Sequence, residues 1–197
     1  MNECLTVRPA RPDELDQVGR LTLEAYVADG MVDPAGAYAV PLADAAGRAA
    51  DAELLVAADS DGTLLGTVTV CQPGSPLSEV SRPGELEFRM LAVAPQARRR
   101  GVGAILVNAV LQRASDLGAH RVVMCSAELM HTAHRLYTRL GFARLPERDW
   151  QPVPGLQLLA FGRAVAGRLT KDGLDSVRGI GVEVDLTRLR HDHISEW

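Results

Sequence analysis

Glycines and arginines cluster where a predicted strand meets a predicted helix, in the segment Arg98-Arg99-Arg100-Gly101-Val102-Gly103-Ala104. The first backbone N–H groups of a helix have no carbonyl partner inside it, and the helix dipole makes that end positive. Gly101 and Gly103 allow an anionic ligand to approach this backbone closely, because neither carries a Cβ. One arginine can pair with a phosphate while the others remain solvated. The segment therefore predicts a phosphate or pyrophosphate site.

The hydrophobic pattern predicts the elements on both sides of this segment. The stretch from Glu85 to Val93 alternates and then becomes continuously apolar, which is typical of a strand that is fully buried towards its end. Pro95 ends that strand. From Val102 the apolar residues recur every 3.6 residues as far as Leu117-Gly118, which predicts a helix with one buried face and a glycine after its last turn.

Three common kinds of segment share some of these features. A Rossmann fingerprint needs a small residue where this chain has Leu106, and an acidic residue on the next strand, which Arg121 to Ser126 lacks. A Walker loop needs a terminal Gly-Lys-Ser/Thr, which is absent. A basic turn that merely solvates the start of a helix stays open as the simplest alternative.

The fourth explanation is a family resemblance. The pattern Arg98-x-x-Gly101-x-Gly103-Ala104, placed after a strand that ends Leu91-Ala92-Val93, resembles the acyl-CoA signature of the GNAT superfamily of N-acetyltransferases. The segment Ala133 to Phe142, AHRLYTRLGF, is similar to that family's second conserved segment. The resemblance covers about residues 3 to 163. It implies an α/β fold with a central mixed sheet flanked by helices.

The resemblance also implies a cosubstrate and the residues that hold it. The acyl donor would be acetyl-CoA, with no metal. Backbone N–H groups of the strand end would bond the pantetheine arm and the thioester oxygen if the strand is bulged or splayed as in the family. The implied cofactor-binding residues are Leu91, Ala92, Val93, Arg98, Arg99, Arg100, Gly101, Val102, Gly103 and Ala104.

Acetyl transfer to an amine requires a neutral nucleophile and protonation of the departing thiolate, and two residues match these roles by resemblance. Glu87 occupies the place where some family members carry a glutamate base, and Tyr137 matches the tyrosine that protonates the CoA sulfur. A tyrosine with a pKa of about 10 stays protonated near neutrality. The structural alternatives are a solvated or salt-bridged glutamate and a tyrosine packed above Gly141-Phe142.

Strand alternation sorts the side chains around Glu87. It places Glu85, Glu87 and Arg89 on one face of the strand, opposite Leu86, Phe88 and Met90.

One position departs from the family pattern, because Met130 stands where many relatives carry an asparagine. The nearby His131 and His134 are three residues apart on a helix, a spacing that fits packing or surface residues better than metal ligands. Cys125 ends a predicted buried strand and is more typical of a structural thiol than of a nucleophile.

Several other segments are predicted to surround the site. Tyr26 to Pro41 forms either a substrate loop or ordinary packing. Gln72 to Gly84 is either a wall of the acceptor site or an ordinary surface loop. We expect one helix over Leu42 to Ala52 and another over Glu128 to Leu140, with Pro146 to Gly155 folding over the end of the sheet.

Composition bounds the remaining questions. A chain of 197 residues with 47% hydrophobic content predicts one domain. The resemblance implies that this domain covers residues 1–166 and that residues 167–197 are an extension. Within the extension, Ile180 to Leu186 alternates like an edge strand, either in a tail or exchanged in a homodimer. The formal charge of −4 argues against nucleic acid as a general partner. No apolar run approaches the roughly 18 residues of a membrane span, and Met1-Asn2-Glu3-Cys4 does not begin a signal peptide, so we expect a cytoplasmic protein. Richness in alanine, arginine and glycine predicts a bacterial source.

Two hypotheses of function follow from the sequence. The first is an N-acetyltransferase that moves the acetyl group of acetyl-CoA to a primary amine of a small molecule or peptide, by direct attack through a tetrahedral intermediate. The second is a non-catalytic acyl-CoA-binding sensor that regulates a partner. The first predicts turnover that depends on Glu87 and Tyr137, whereas the second predicts binding without turnover.

Overall fold

The computed structural model describes residues 5–165 of the chain. These residues form an α/β fold with eight strands in one mixed sheet. The strands are β1 (Thr6–Pro9), β2 (Glu53–Ala58), β3 (Leu64–Cys71), β4 (Glu85–Val93), β5 (Arg121–Ala127), β6 (Ala143–Arg144), β7 (Trp150–Val153) and β8 (Leu156–Ala164). The helices are α1 (Leu15–Ala28), α2 (Ala39–Ala43), α3 (Ala45–Asp51), α4 (Val102–Asp116) and α5 (His131–Arg139). The predicted extension, including Ile180 to Leu186, lies outside the described residues.

The sheet has the order β1-β2-β3-β4-β5-β8-β6, and β7 also pairs with β8. The neighbours β4 and β5 run parallel, whereas the other pairs are antiparallel. A parallel pair needs a crossover between its strands, and α4 supplies it. The crossover places the start of α4 directly after the end of β4, as the sequence predicts.

Apolar stripes on α1 and α4 form part of the core, and the stripe on α4 is predicted by the sequence. Val18, Leu21 and Ala25 of α1 are buried, as are Leu106 and Val110 of α4. Burial of such stripes provides most of the stability of helices of this length, because short isolated helices are marginal in water.

The structure differs from the sequence prediction at three places. The helix expected over Leu42 to Ala52 is divided into α2 and α3, because Asp44 leaves the helical conformation and caps α3 with its side chain. The helix expected from Glu128 begins only at His131. Part of the loop expected over Pro146 to Gly155 forms β7, in which Trp150 pairs with Leu158 of β8.

The cap at Asp44 provides a first prediction. Its Oδ1 accepts a hydrogen bond of 2.8 Å from the Gly47 N–H, one of the donors that the start of a helix leaves without a partner. Asp44→Ala is therefore expected to lower the free energy of unfolding by about 1 kcal/mol in urea denaturation. The control is Asp51→Ala in the last turn of the same helix, which should change stability by less than about 0.5 kcal/mol. Equal losses in the two variants would contradict a capping role.

Candidate functional site

The sheet opens between β4 and β5. Their parallel pairing extends from Glu85 opposite Arg121 to Glu87 opposite Val123 and ends there. Beyond this point β5 continues to pair with β8 as far as Ala127. The ends of β4 and β5 therefore diverge, and the space between them exposes strand backbone to a ligand.

A β-bulge lies on β4 where the strands diverge. Arg89 pairs with Thr69 and Ala92 pairs with Thr67, so two residues of β4 lie opposite one residue of β3. Within the bulge, Met90 adopts a positive φ of 51°. A bulge leaves one residue out of the regular hydrogen-bond ladder and is common beside active sites. The structure thus has both the splay and the bulge on which the proposed thioester contacts of Leu91, Ala92 and Val93 depend.

The helix start predicted from the glycines is present at the first turn of α4. Gly101 is the N-cap with a φ of 82°, a conformation that glycine adopts without steric cost. The first intrahelical hydrogen bond runs from the Ile105 N–H to the Gly101 carbonyl at 3.1 Å. The N–H groups of Val102, Gly103 and Ala104 precede this bond, so they point out of the end of the helix.

The two glycines serve different purposes. A Cβ on Gly101 would meet no atom within 4 Å, so the surrounding atoms of the chain do not require glycine at this position. The positive φ of Gly101 does require it, because other residues rarely adopt that conformation. A Cβ on Gly103 would lie 3.2 Å from Leu136 Cδ2 and 3.7 Å from Val93 Cγ2. Gly103 therefore lies between the end of β4 and α5, where the helix start faces the open part of the sheet.

The arginines of the turn have separate environments. Arg98 forms an ion pair of 3.0 Å with Asp29 and a hydrogen bond of 3.3 Å to the Ala25 carbonyl, at the C-terminal end of α1. Its guanidinium therefore ties the turn to α1, a contact that the sequence did not indicate. Arg99 and Arg100 are exposed, and Arg99 has a positive φ of 64°.

Glu87 is fully buried, which the sequence did not predict. Its carboxylate accepts hydrogen bonds from the backbone N–H groups of Glu79 (3.0 Å), Val80 (3.0 Å) and Ser81 (2.9 Å). The side chain is therefore neither solvated nor salt-bridged, the two structural alternatives that the sequence left open, because it is buried and its partners are backbone N–H groups. It holds the loop before β4 against the strand.

Tyr137 lies on the opposite side of β4, in an aromatic cluster. Its ring packs edge-on against Phe88 at 5.9 Å between centroids, and it also contacts Phe142 and Phe161. Burial raises the pKa of Tyr137 above its ordinary value of 10. The hydroxyl therefore stays protonated in any ordinary assay, although it is a weaker acid than an exposed tyrosine. The predicted alternation is confirmed for Phe88 and Glu87, whose side chains contact different elements.

Glu79 and Arg89 also lie near the site, although the sequence indicated no role for either residue. They form an ion pair, and Arg89 also donates a hydrogen bond of 2.8 Å to the Leu77 carbonyl. Alternation already placed Arg89 on the Glu87 face. Glu79 gave no signal of its own, because its loop was open to two interpretations.

A cleft of about 390 Å³ lies beside this pair. It is lined by Glu79, Arg82, Glu147 and Trp150, among others. The loop from Gln72 to Gly84 therefore contributes to a concave surface, and the loop at 147–150 forms its other side.

The remaining sequence candidates are placed as follows. Burial raises the pKa of both Cys71 and Cys125 to about 12, so neither thiol forms the reactive thiolate near neutrality. The ring centroids of His131 and His134 are 6.1 Å apart, and His134 also packs against Phe161. Within residues 5–165, no group of three or more His, Cys, Asp or Glu side chains is arranged to hold a metal ion. In the same range no helix is long and apolar enough to cross a membrane.

A mixed sheet with a bulged, splayed central strand and a helix that begins at a glycine beside it defines the class of protein as an α/β fold with a central mixed sheet flanked by helices. A model of the acetyltransferase (GNAT) family matches residues 18–142, more than half of the chain. The chain belongs to this family. The resemblance that the sequence predicted is thereby confirmed, as is the fold class.

Individual relatives agree with the family. The chain is 32% identical over 103 residues to an uncharacterized N-acetyltransferase of Schizosaccharomyces pombe, covering 52% of this chain and 59% of the relative. It is 30% identical over 136 residues to a mycothiol acetyltransferase of Pseudarthrobacter chlorophenolicus, covering 68% of this chain and 36% of the relative. The chain thus matches less than two thirds of the length of these curated relatives.

Solved structures give the same fold. A GNAT-family acetyltransferase of Staphylococcus aureus superposes with a TM-score of 0.66 at 11% identity, covering 83% of this chain and 100% of that one. A GCN5-related N-acetyltransferase of Kribbella flavida superposes with a TM-score of 0.59 at 25% identity, covering 81% of this chain and 97% of that one.

Proposed function

We propose that this protein transfers the acetyl group of acetyl-CoA to a primary amine. The observation that carries the proposal is the position of Gly103, whose missing side chain leaves the start of α4 open beside the end of β4. Three N–H groups point out of that helix end, and the positive end of the dipole favours a pyrophosphate there. The bulged backbone at 90–93 belongs to β4, the strand that leads directly to this helix start.

The residues present fit this cosubstrate. We propose that Val102, Gly103 and Ala104 bind the pyrophosphate through their N–H groups, with Arg99 and Arg100 supplying positive charge at the rim. Because Arg98 is engaged by Asp29, we assign it to holding the turn in place. Backbone N–H groups between Leu91 and Val93 would support the oxyanion that develops on the thioester carbonyl.

Tyr137 then completes the transfer by protonating the leaving thiolate. Its raised pKa keeps the proton on the hydroxyl until the C–S bond breaks, and its packing against Phe88 fixes the ring beside β4. The acceptor is proposed to be a small-molecule or peptide amine that enters from the Glu87 side of β4. Fold alone does not determine which amine this is.

The cosubstrate site is tested by blocking the helix start. Gly103→Trp fills the space beside Leu136 and Val93, so we expect acetyl-CoA affinity to fall at least about 100-fold, a loss of roughly 2.7 kcal/mol. The measurement is calorimetric titration of the intact chain and the variant with acetyl-CoA.

The matched control is Asn108→Trp, an exposed position further along the same helix, which should bind acetyl-CoA like the wild type. Thermal melting of both variants separates a blocked site from a damaged fold. If the wild type is folded and binds no acetyl-CoA, the proposed function is wrong and the basic turn only solvates the helix. If the wild type binds but releases no CoA with any amine, the non-catalytic sensor is the better hypothesis.

A further inference from the structure

We propose that Glu79, and not Glu87, accepts the proton of the acceptor amine, and that Glu87 positions it. This inference rests on the proposed acetyl transfer and adds the residue that makes the amine nucleophilic. The base that accepts the amine proton thus lies on the loop before β4 and not on β4 itself.

The contacts of Glu87 argue against a direct exchange of protons with a substrate. The side chain has no exposed surface, and its oxygens are already occupied by the backbone N–H groups of Glu79, Val80 and Ser81. Protonation would remove acceptor capacity from a carboxylate that three donors share, and buried donors without partners cost about 1–3 kcal/mol each. Glu87 is therefore suited to hold the loop before β4 in place.

The same hydrogen bonds determine where Glu79 lies. The Glu79 N–H is one of the three donors to Glu87, so the start of the Glu79 side chain is held directly over β4. Its carboxylate pairs with Arg89, the residue next to the bulge at Met90. Arg89 in turn is held by the Leu77 carbonyl, so that the pair is bound to the loop at both ends.

Glu79 is also accessible, which Glu87 is not. Its side chain is 23% exposed, compared with 18% for Arg89, and it lines the cleft beside the pair. Burial raises the pKa of Glu79, Arg89 lowers it, and the negative charge of Glu87 raises it further, with a net upward shift. A carboxylate whose pKa is raised is a better proton acceptor than one at its ordinary value. Access and basicity thus coincide at Glu79.

In the proposed transfer, Glu79 removes a proton from the acceptor and Tyr137 supplies one to the leaving group. The Glu79 carboxylate takes one proton from the substrate ammonium, and the freed lone pair forms the C–N bond to the acetyl carbonyl carbon. The C–S bond breaks as the amide forms, and Tyr137 protonates the thiolate. The nitrogen loses its second proton to solvent, from which Tyr137 regains its own. Glu79 then releases its proton to solvent, and no oxidant or reductant is needed.

The test compares two acceptors of different basicity. The first is the best alkylamine acceptor found in a panel, and the second is its β,β,β-trifluorinated analogue, which is largely neutral at pH 7. With Glu79→Gln we expect kcat/KM for the alkylamine to fall about 100-fold, because a positioned base contributes at least that much. The fluorinated amine already has a free lone pair, so it needs no base before it attacks. Its kcat/KM should fall less than about 5-fold, because Glu79→Gln then removes only the ion pair with Arg89.

Three further variants make the result specific. Glu79→Asp keeps a carboxylate and should recover at least about a tenth of wild-type kcat/KM. Glu87→Gln should lower kcat/KM equally for both amines, because it misplaces the loop instead of removing the base. Glu24→Gln changes an exposed glutamate of α1 and should behave like the wild type. Melting curves confirm that each variant is folded.

The outcomes separate this inference from the proposed function. A Glu79→Gln variant that keeps kcat/KM within about 3-fold on the alkylamine, or that loses equally on both amines, would overturn the role of Glu79 while leaving acetyl transfer intact. A Glu87→Gln defect confined to the basic amine would return the base to Glu87. Absence of transfer by a wild type that binds acetyl-CoA would overturn the proposed function, and the role of Glu79 with it.

Discussion

Replacing Tyr137 with phenylalanine is expected to lower kcat at neutral pH by about 10²- to 10⁴-fold, the usual contribution of a positioned general acid. The substitution removes only the hydroxyl. The ring keeps its contacts with Phe88, Phe142 and Phe161, so the fold should not change. Affinity for acetyl-CoA should also be retained, since the proposed cosubstrate contacts are made by the backbone of other residues.

The pH dependence of this defect distinguishes a proton donor from a packing residue. A thiol has a pKa of about 8.5, so a thiolate needs less help to depart as the pH rises above that value. The ratio of wild-type to variant kcat should therefore shrink between about pH 7 and pH 9.5. Because burial raises the pKa of Tyr137, the wild-type hydroxyl itself stays protonated over this range. A ratio that is independent of pH, or a variant with lost acetyl-CoA binding, would assign Tyr137 to packing.

Much of the fold was predictable because its signals are local. The bounds of β4 follow from an apolar run that is ended by a proline, and the start of α4 follows from its glycines. β7 was missed because Pro152 and Pro154 suggest a loop. An edge strand tolerates proline, since one side of it makes no ladder hydrogen bonds.

The site was predictable only in part, because its key features depend on contacts between distant segments. The bulge at Met90 arises from a register shift against β3, and no residue type encodes it. The burial of Glu87 requires the loop at 79–81 to fold over it. Arg98 carries the signature pattern of the family, yet its partner Asp29 lies far away in the sequence. Residue types therefore indicate the chemistry, whereas the tertiary contacts determine which glutamate or arginine can perform it.

The second large effect is expected at the buried ion pair between Arg148 and Glu85, in which Arg148 lines the cleft. Arg148 donates to both oxygens of Glu85, at 2.5 and 3.0 Å, and the two side chains are 5% and 2% exposed. Arg148→Ala leaves the carboxylate buried without its main partner, so we expect the free energy of unfolding to fall by about 3–5 kcal/mol. Arg121 contacts the same carboxylate at 3.4 Å with a side chain that is 38% exposed. Arg121→Ala should therefore cost at most about 1 kcal/mol in the same urea titration.

The pH dependence of stability tests the same pair. Burial raises the pKa of Glu85, but the hydrogen bonds from Arg148 and from the Arg82 N–H outweigh it, and the net pKa lies below the ordinary 4.5. A lowered carboxyl pKa in the folded state stabilises the protein above the unfolded value, and this stability is lost as the pH falls through the folded value. The wild type should therefore lose stability below about pH 4.5. Arg148→Ala should lose less in that window, and equal slopes would contradict the assignment.

A double variant separates the attraction between the two charges from the cost of burying them. Glu85→Leu with Arg148→Met replaces both ions by apolar groups of similar size, and such replacements of buried pairs are often neutral or stabilising. We expect the double variant to regain at least about half of what Arg148→Ala loses. Arg148 also donates to the Val80 carbonyl at 3.3 Å, so the ion pair contacts the same loop whose backbone N–H groups bind Glu87. A double variant that regains stability but transfers acetyl groups more slowly would show that this pair serves the position of the loop rather than the stability of the fold.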